Sequence, residues 1–270
     1  MKNRKYSVFV NWFEDYVSKY NLNPKDQENI NLKIYHTYRV CDEITDIGNS
    51  LNLNELDMFL ARTIALFHDI GRFEQYAKYK TFSDAKSEDH ALLGIKILLN
   101  NNILRELDNT HTKIIINAIK YHNKAKIPNN LDAKSLFFAR LIRDADKLDI
   151  WRIVIDYYEK KNQNKKIGLG FLDEPYISNE TYNAVKNKEI VEYEKVKTIN
   201  DLKLLQMAWI YDINFHRTFE IIKERDYLKK IYNTLPKSEK TYDIYKDMQN
   251  YLNNMLRNNI RKIKEKIKNK

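Results

Sequence analysis

Apolar residues recur at helical spacing along most of the chain, and the interruptions between these runs set the predicted elements. Val8, Phe9, Phe13 and Val17 share one face of a short helix over 6–19. From Pro24, a residue suited to a first helical turn, a second helix runs to about Ile47. Leu32, His36, Val40, Glu43 and Ile47 align along it, and Gly48 ends it. In "LNELDMFLARTIALFHDIG" the stripe is Leu60, Ile64 and Phe67; His68 follows Ile64 by one turn, so it faces inward, and Gly71 breaks the run.

Residues 72–87 have no clean period and read as a loop or short helix. They lead to "SEDHALLGIKILL", with Ser87 as N-cap and with His90, Gly94 and Ile97 on one face. A glycine one turn from a histidine permits close approach of another helix. Residues 109–122 repeat the pattern with Ile115, Ile119 and His122. After Pro128, "DAKSLFFARLIRDADKLDIWRIVIDYYEK" reads as one long helix with Ala139, Ile142 and Asp146 in a stripe.

The densest turn signal is "KNQNKKIGLGFLDEPYISN", with Gly168, Gly170 and Pro175, and a boundary is placed there. The expected organisation is a helical core over 1–160 and a helical extension over 161–270 packed on it. Helices are expected at 179–194, 198–235 and 238–268, the last with Leu256, Ile260, Ile263 and Ile267 at docking positions. With 5 glycines and 4 prolines in 270 residues, the composition agrees with an all-α fold.

The formal charge of +10 raises the question of nucleic acid. Lysine is spread over the full length, so the charge reads as a diffuse solvated surface, and nucleic acid is not the expected partner. Cys41 is the single cysteine, which excludes an intrachain disulfide and suits a reducing compartment. The N-terminal "MKNRKYSVFVNWFEDYV" meets acidic residues before any signal-like apolar core is complete, and no run approaches a membrane span. A cytoplasmic protein is expected.

The inward polar groups are His36, His68 with Asp69, His90, His122 and Asp146, which uses four of the six histidines. A single inward histidine is more often a hydrogen-bonded core residue than a ligand. Asp146 taken alone also reads as a surface ion-pairing residue, and Asp144 or Asp149 can stand in its place. Taken jointly, these groups would each cost several kcal/mol if buried without a partner, roughly, and a shared cation would partner them together. Imidazoles and carboxylates without a thiolate suit Mn, Fe, Zn, Ni or Mg. A carboxylate has two oxygens, so Asp69 can bridge two ions where His68 binds one.

The stretches "YHTYRVCDE", "LFHDIGR" and "RDADKLD" resemble the ordered H…HD…D pattern of the HD-domain superfamily of metal-dependent phosphohydrolases, over roughly residues 26–160. "DHALLG" and "AIKYHNK" resemble the additional histidine motifs of members that hold two metals. The resemblance implies an HD-domain helical bundle around the metal site. It assigns His36, His68, Asp69 and Asp146 to one ion, and Asp69, His90 and His122 to the other. Tyr121-His122 stands where the cyclic-di-GMP phosphodiesterase branch has paired histidines, and that branch's GYP tripeptide is missing, so that substrate is disfavoured.

The reaction implied is hydrolysis of a phosphoester or phosphoanhydride in a small phosphorylated substrate, a nucleotide or dinucleotide, by a metal-activated water. Arg72, Lys86 and Lys147 flank the motifs and are candidates to hold phosphate oxygens alongside Asp69; Arg39, one turn after His36, is a candidate to orient a ligand. Two other readings stay open: a di-iron oxygenase on the same ligand pattern, and a nucleic-acid-binding or regulatory module with a vestigial site.

Overall fold

Polar side chains at the helix starts set most of the boundaries. The computed structural model describes residues 2–20, 23–160, 164, 166–189 and 191–268, with residues 2–4, 25 and 258–268 as backbone only. Helix α1 spans Lys2–Ser18 and α2 Pro24–Ser50, whose N-cap Asn23 accepts from the Asp26 amide. Helix α3, Glu55–Phe67, is capped by Asn54, and α4 is Gly71–Tyr79. Helix α5 is His90–Asn100 and α6 is Asn109–His122, capped by Asp108. Helix α7 is Ala133–Tyr158. The described residues are helical or irregular, with a lone bridge between Leu172 and Thr198.

The chain divides into two compact units, Met1–Asp149 and Ile150–Lys270. The division lies inside α7, ahead of the glycine-rich segment where the sequence places its boundary. In the first unit α3 packs on α1, α2 and α6, and α5 packs between α4 and α6. Its core includes the fully buried Phe13, Ile44, Leu60, Ile64, Phe67, Phe73, Ile119, Phe138 and Ile142. Those side chains supply the dry environment against which the inward polar groups are set.

In the second unit, helices α8 (Asn179–Lys186), α9 (Ile199–Ala208), α10 (His216–Glu224), α11 (Tyr227–Asn233) and α12 (Glu239–Lys268) follow one another. Thr198 and Asp201 form a reciprocal capping box at α9. Val154, Tyr158, Val196, Ile199 and Leu202 form an apolar cluster, and the buried Trp151 indole donates to the Gln206 carbonyl at 2.9 Å.

Several sequence expectations are corrected. The long run expected over 198–235 is three helices, because Ile213 and Phe215 are extended and Asp226 takes a left-handed φ of 56°. The helix expected over 179–194 stops at Lys186. Gly48 does not end α2, which continues to Ser50; a Cβ there would lie 2.8 Å from Met58 Cε, so the glycine serves packing. The N-cap of α5 is Asp89, accepting from the amides of Ala91 and Leu92, and not Ser87. The docking positions named at Ile260, Ile263 and Ile267 lie outside the described side chains. No helix among the described residues is long and apolar enough to cross a membrane.

Candidate metal centre

His68 and Asp69 follow the last turn of α3, in the tight link to α4. What brings this link to α5 is a pair of glycines. A Cβ at Gly71 would stand 2.1 Å from the His90 carbonyl oxygen and 2.7 Å from the Gly94 nitrogen. Only glycine permits that approach, and it sets the Asp69 carboxylate against the first residue of α5.

The six side chains converge in two halves that share Asp69. On one side, Asp69 Oδ2 lies 3.4 Å from His36 Nε2 and 3.7 Å from His68 Nε2. Asp146 Oδ1 lies 3.1 and 3.6 Å from the same two nitrogens. On the other side, Asp69 Oδ1 lies 3.2 Å from His90 Nε2 and 3.8 Å from His122 Nε2. All four imidazoles and Asp69 are buried, and the Asp146 side chain is 14% exposed.

Each imidazole is turned by a partner at its other nitrogen. His68 Nδ1 donates to the Ala65 carbonyl and His122 Nδ1 to the Ile119 carbonyl, both at 2.7 Å. A carbonyl only accepts, so the proton is on Nδ1 and, in the neutral ring, the lone pair is on Nε2. His36 Nδ1 meets Asp149 Oδ2 at 2.7 Å, and Arg39 grips Asp149 from behind through Nε at 2.6 Å and Nη2 at 3.1 Å. His90 Nδ1 meets Asp84 Oδ2 at 2.7 Å, and Arg72 Nη1 donates to Asp84 Oδ1 at 2.8 Å. Each half therefore holds one histidine turned by a backbone carbonyl and one turned by an arginine-paired carboxylate. Arg143 on α7 donates to the carbonyls of Tyr121, His122 and Lys124, fixing the end of α6 that carries His122.

The arrangement fits divalent cations on two observations. Facing Nε2 atoms lie 3.3 Å apart in the His36–His68 pair and 3.1 Å apart in His90–His122, a spacing at which each pair can share a proton or a cation. Asp146 Oδ1 is buried without a hydrogen-bond partner. The electrostatics agree. Burial and Lys33 push the His36 imidazolium down, but Asp146, Asp149 and Asp69 outweigh them and raise it to about 10. Burial alone would raise Asp69, whereas Lys33, His68, His122 and His36 hold it well below the usual carboxylate range. Burial, the largest effect, lowers His122 to about 4 and keeps it a neutral donor.

The cationic candidates are placed differently from one another. Arg72 spends Nη1 on Gln75, the Phe82 carbonyl and Asp84, and its Nε faces Asp69 Oδ1 at 3.5 Å. Lys86 is exposed on the turn Asp84–Lys86, and Lys147 is buried on α7. Sequence reasoning missed Lys33, whose Nζ is 2.7 Å from Asp69 Oδ2, although it lies one turn before His36 on α2. It also missed Asp84, in a stretch without helical period, and the role of Asp149, one turn beyond Asp146.

Residues 34–151 match the family model of the HD domain, whose members are generally hydrolases that bind divalent metals. No curated protein and no solved structure matches the chain. All six converging side chains fall within the segment that matches the HD-domain model.

Proposed function

We propose that the protein is a metal-dependent phosphohydrolase that cleaves a phosphoester or phosphoanhydride in a small, nucleotide-like substrate. The observation that carries this reading is the division of Asp69, each of whose oxygens faces its own set of imidazoles. His36, His68, Asp146 and Asp69 Oδ2 would hold one ion, and His90, His122 and Asp69 Oδ1 the other. When bound, such a pair lowers the pKa of a water towards neutrality and draws charge from phosphate oxygens.

The chain's own part is to orient the groups that would hold the ions. The carbonyls of Ala65 and Ile119 fix the tautomers of His68 and His122, so no ring rotation is needed at the moment of reaction. Lys33, 16% exposed beside Asp69, supplies positive charge where a phosphate would approach. Lys86 is exposed and could reach a solute, whereas Lys147 would have to hold a phosphate oxygen from a buried position on α7. Arg72, committed to three acceptors, is better placed to orient than to bind substrate.

The test is a phosphate-release screen of the purified protein over nucleotides, dinucleotides and sugar phosphates, with Mn2+, Fe2+, Zn2+, Ni2+ or Mg2+, run with and without dioxygen. Metal-dependent release that is indifferent to dioxygen is expected. Turnover that requires dioxygen and frees no phosphate overturns the reading in favour of an oxygenase. Tight duplex or single-strand binding that collapses between low and moderate salt would instead identify a nucleic-acid partner.

A further inference from the structure

The two halves of the centre are built alike at the ring nitrogens but unlike in what supports them. Around His36 the support is helical: Arg39 lies on the same helix and Asp149 on α7. Around His90 it is a single carboxylate in the irregular stretch between α4 and α5. Asp84 accepts from His90 Nδ1 at 2.7 Å, from Arg72 Nη1 at 2.8 Å, from Gln75 Nε2 at 2.9 Å and from Asn123 Nδ2 at 3.1 Å.

These contacts reach every ligand of the second half. His90 is touched directly. Asn123 is the residue after His122, and Arg72 carries its Nε to within 3.5 Å of Asp69 Oδ1. Burial would raise the Asp84 carboxyl, but His90, Arg72 and Gln75 keep it well below the usual carboxylate range. Asp89, which with Asp84 and His90 offers atoms within 4.8 Å of one another, is already committed as the α5 N-cap and to Lys124. This trio is therefore a support for His90 and not a further cation site.

We propose that Asp84 is the positioning residue of the cation held by His90 and His122, and that it acts on this ion and not on the one held by His36, His68 and Asp146. The proposal rests on the dinuclear reading above. An anionic acceptor on Nδ1 fixes the tautomer, aims Nε2 and strengthens it as a donor, which matters most in the half that has no carboxylate beyond the shared Asp69.

The experiment uses Mn2+ as the probe and the full-length, metal-free protein, with calorimetric titration and the electron paramagnetic resonance signal of a coupled Mn2+ pair as readouts. Wild type is expected to take two ions. Asp84→Ala should weaken the ion that His90→Ala abolishes by roughly 10- to 100-fold and shift the coupled-pair signal to correspondingly higher Mn2+, while the other ion binds as before. Asp84→Asn, which keeps an acceptor but not the charge, should fall between. Asp149→Ala should weaken the other ion, the mirror result. An unchanged second ion in Asp84→Ala, or equal weakening of both ions in Asp84→Ala and Asp84→Asn alike, overturns the proposal. A wild-type protein that binds a single ion overturns the dinuclear reading and this proposal with it, a result distinct from either of those.

Discussion

The Lys33 ammonium stands 2.7 Å from Asp69 Oδ2, the same oxygen that lies 3.4 Å from His36 Nε2 and 3.7 Å from His68 Nε2. A cation bound at that oxygen would compete with the lysine for it. Lys33→Met should destabilise the chelated protein by about 3 kcal/mol, since a buried carboxylate loses its partner. The same loss should appear as tighter Mn2+ binding, tenfold for each 1.4 kcal/mol or so removed from the metal-free state. Thermal melts in chelator and Mn2+ titrations measure the two sides. Weaker Mn2+ binding in the variant would mean that Lys33 supports the ion.

Asp69 and Asp146 differ in how many donors depend on them. Asp69→Ala removes the shared carboxylate and should abolish both binding of two ions and metal-dependent phosphate release. Asp146→Ala leaves the His90–His122 half complete, so the metal content should fall towards one ion per chain. Elemental analysis of dialysed variants decides; two ions retained in a folded Asp69→Ala protein would refute the bridge.

Metal removal should lower the melting temperature. At a free concentration a hundredfold above its dissociation constant, an ion contributes about 2.7 kcal/mol to the folded state. Two such ions should separate the loaded and chelated melts by on the order of ten degrees. Calorimetry with and without chelator reads this directly, and coincident melts would show that the six side chains hold no ion.

The inward direction of His36, His68, His90 and His122 is legible in the sequence because each sits at helical spacing from buried neighbours such as Val40, Ile64, Ile97 and Ile119. The pairs formed across the bundle are less legible. Asp84 lies in a stretch with no period, and its meeting with Asn123 depends on how α5 and α6 pack. Asp149 is spaced like a ligand from Asp146, and only the placement of Arg39 shows that it backs a histidine. The breaks after α9 and α10 have no glycine or proline to announce them; the chain turns through extended Ile213 and Phe215 at the first and left-handed Asp226 at the second.

Cys41 is buried, and the Tyr6 hydroxyl donates to its sulfur at 3.8 Å. Burial, the largest effect, outweighs Tyr6 and Arg62 and pushes the thiol up to about 12. The folded value exceeds the unfolded one, so the contribution to stability is whole below the unfolded pKa and is lost as pH rises through about 9 to 12. Iodoacetamide at pH 8 should modify the folded protein slowly and the urea-unfolded protein at the rate of a free thiol. Rapid modification without unfolding would contradict the burial.

Gly71 and Gly94 set the spacing on which the second half depends, and they should fail in different ways. At Gly71 an added Cβ meets backbone, the His90 oxygen at 2.1 Å and the Gly94 nitrogen at 2.7 Å, and no rotamer change relieves it. At Gly94 the nearest atom is Ile70 Cγ2 at 3.0 Å, a side-chain methyl that can shift. Gly94→Ala should therefore cost about 1–3 kcal/mol in stability, in line with overpacking, while keeping both ions. Gly71→Ala should separate α4 from α5 and open the 3.2 Å approach of His90 Nε2 to Asp69 Oδ1, weakening the ion held by His90 and His122 while His36, His68 and Asp146 keep theirs. Mn2+ titration of the two variants beside their melting curves distinguishes these outcomes. Wild-type binding of both ions in Gly71→Ala would show that the helix approach does not set the distance across Asp69.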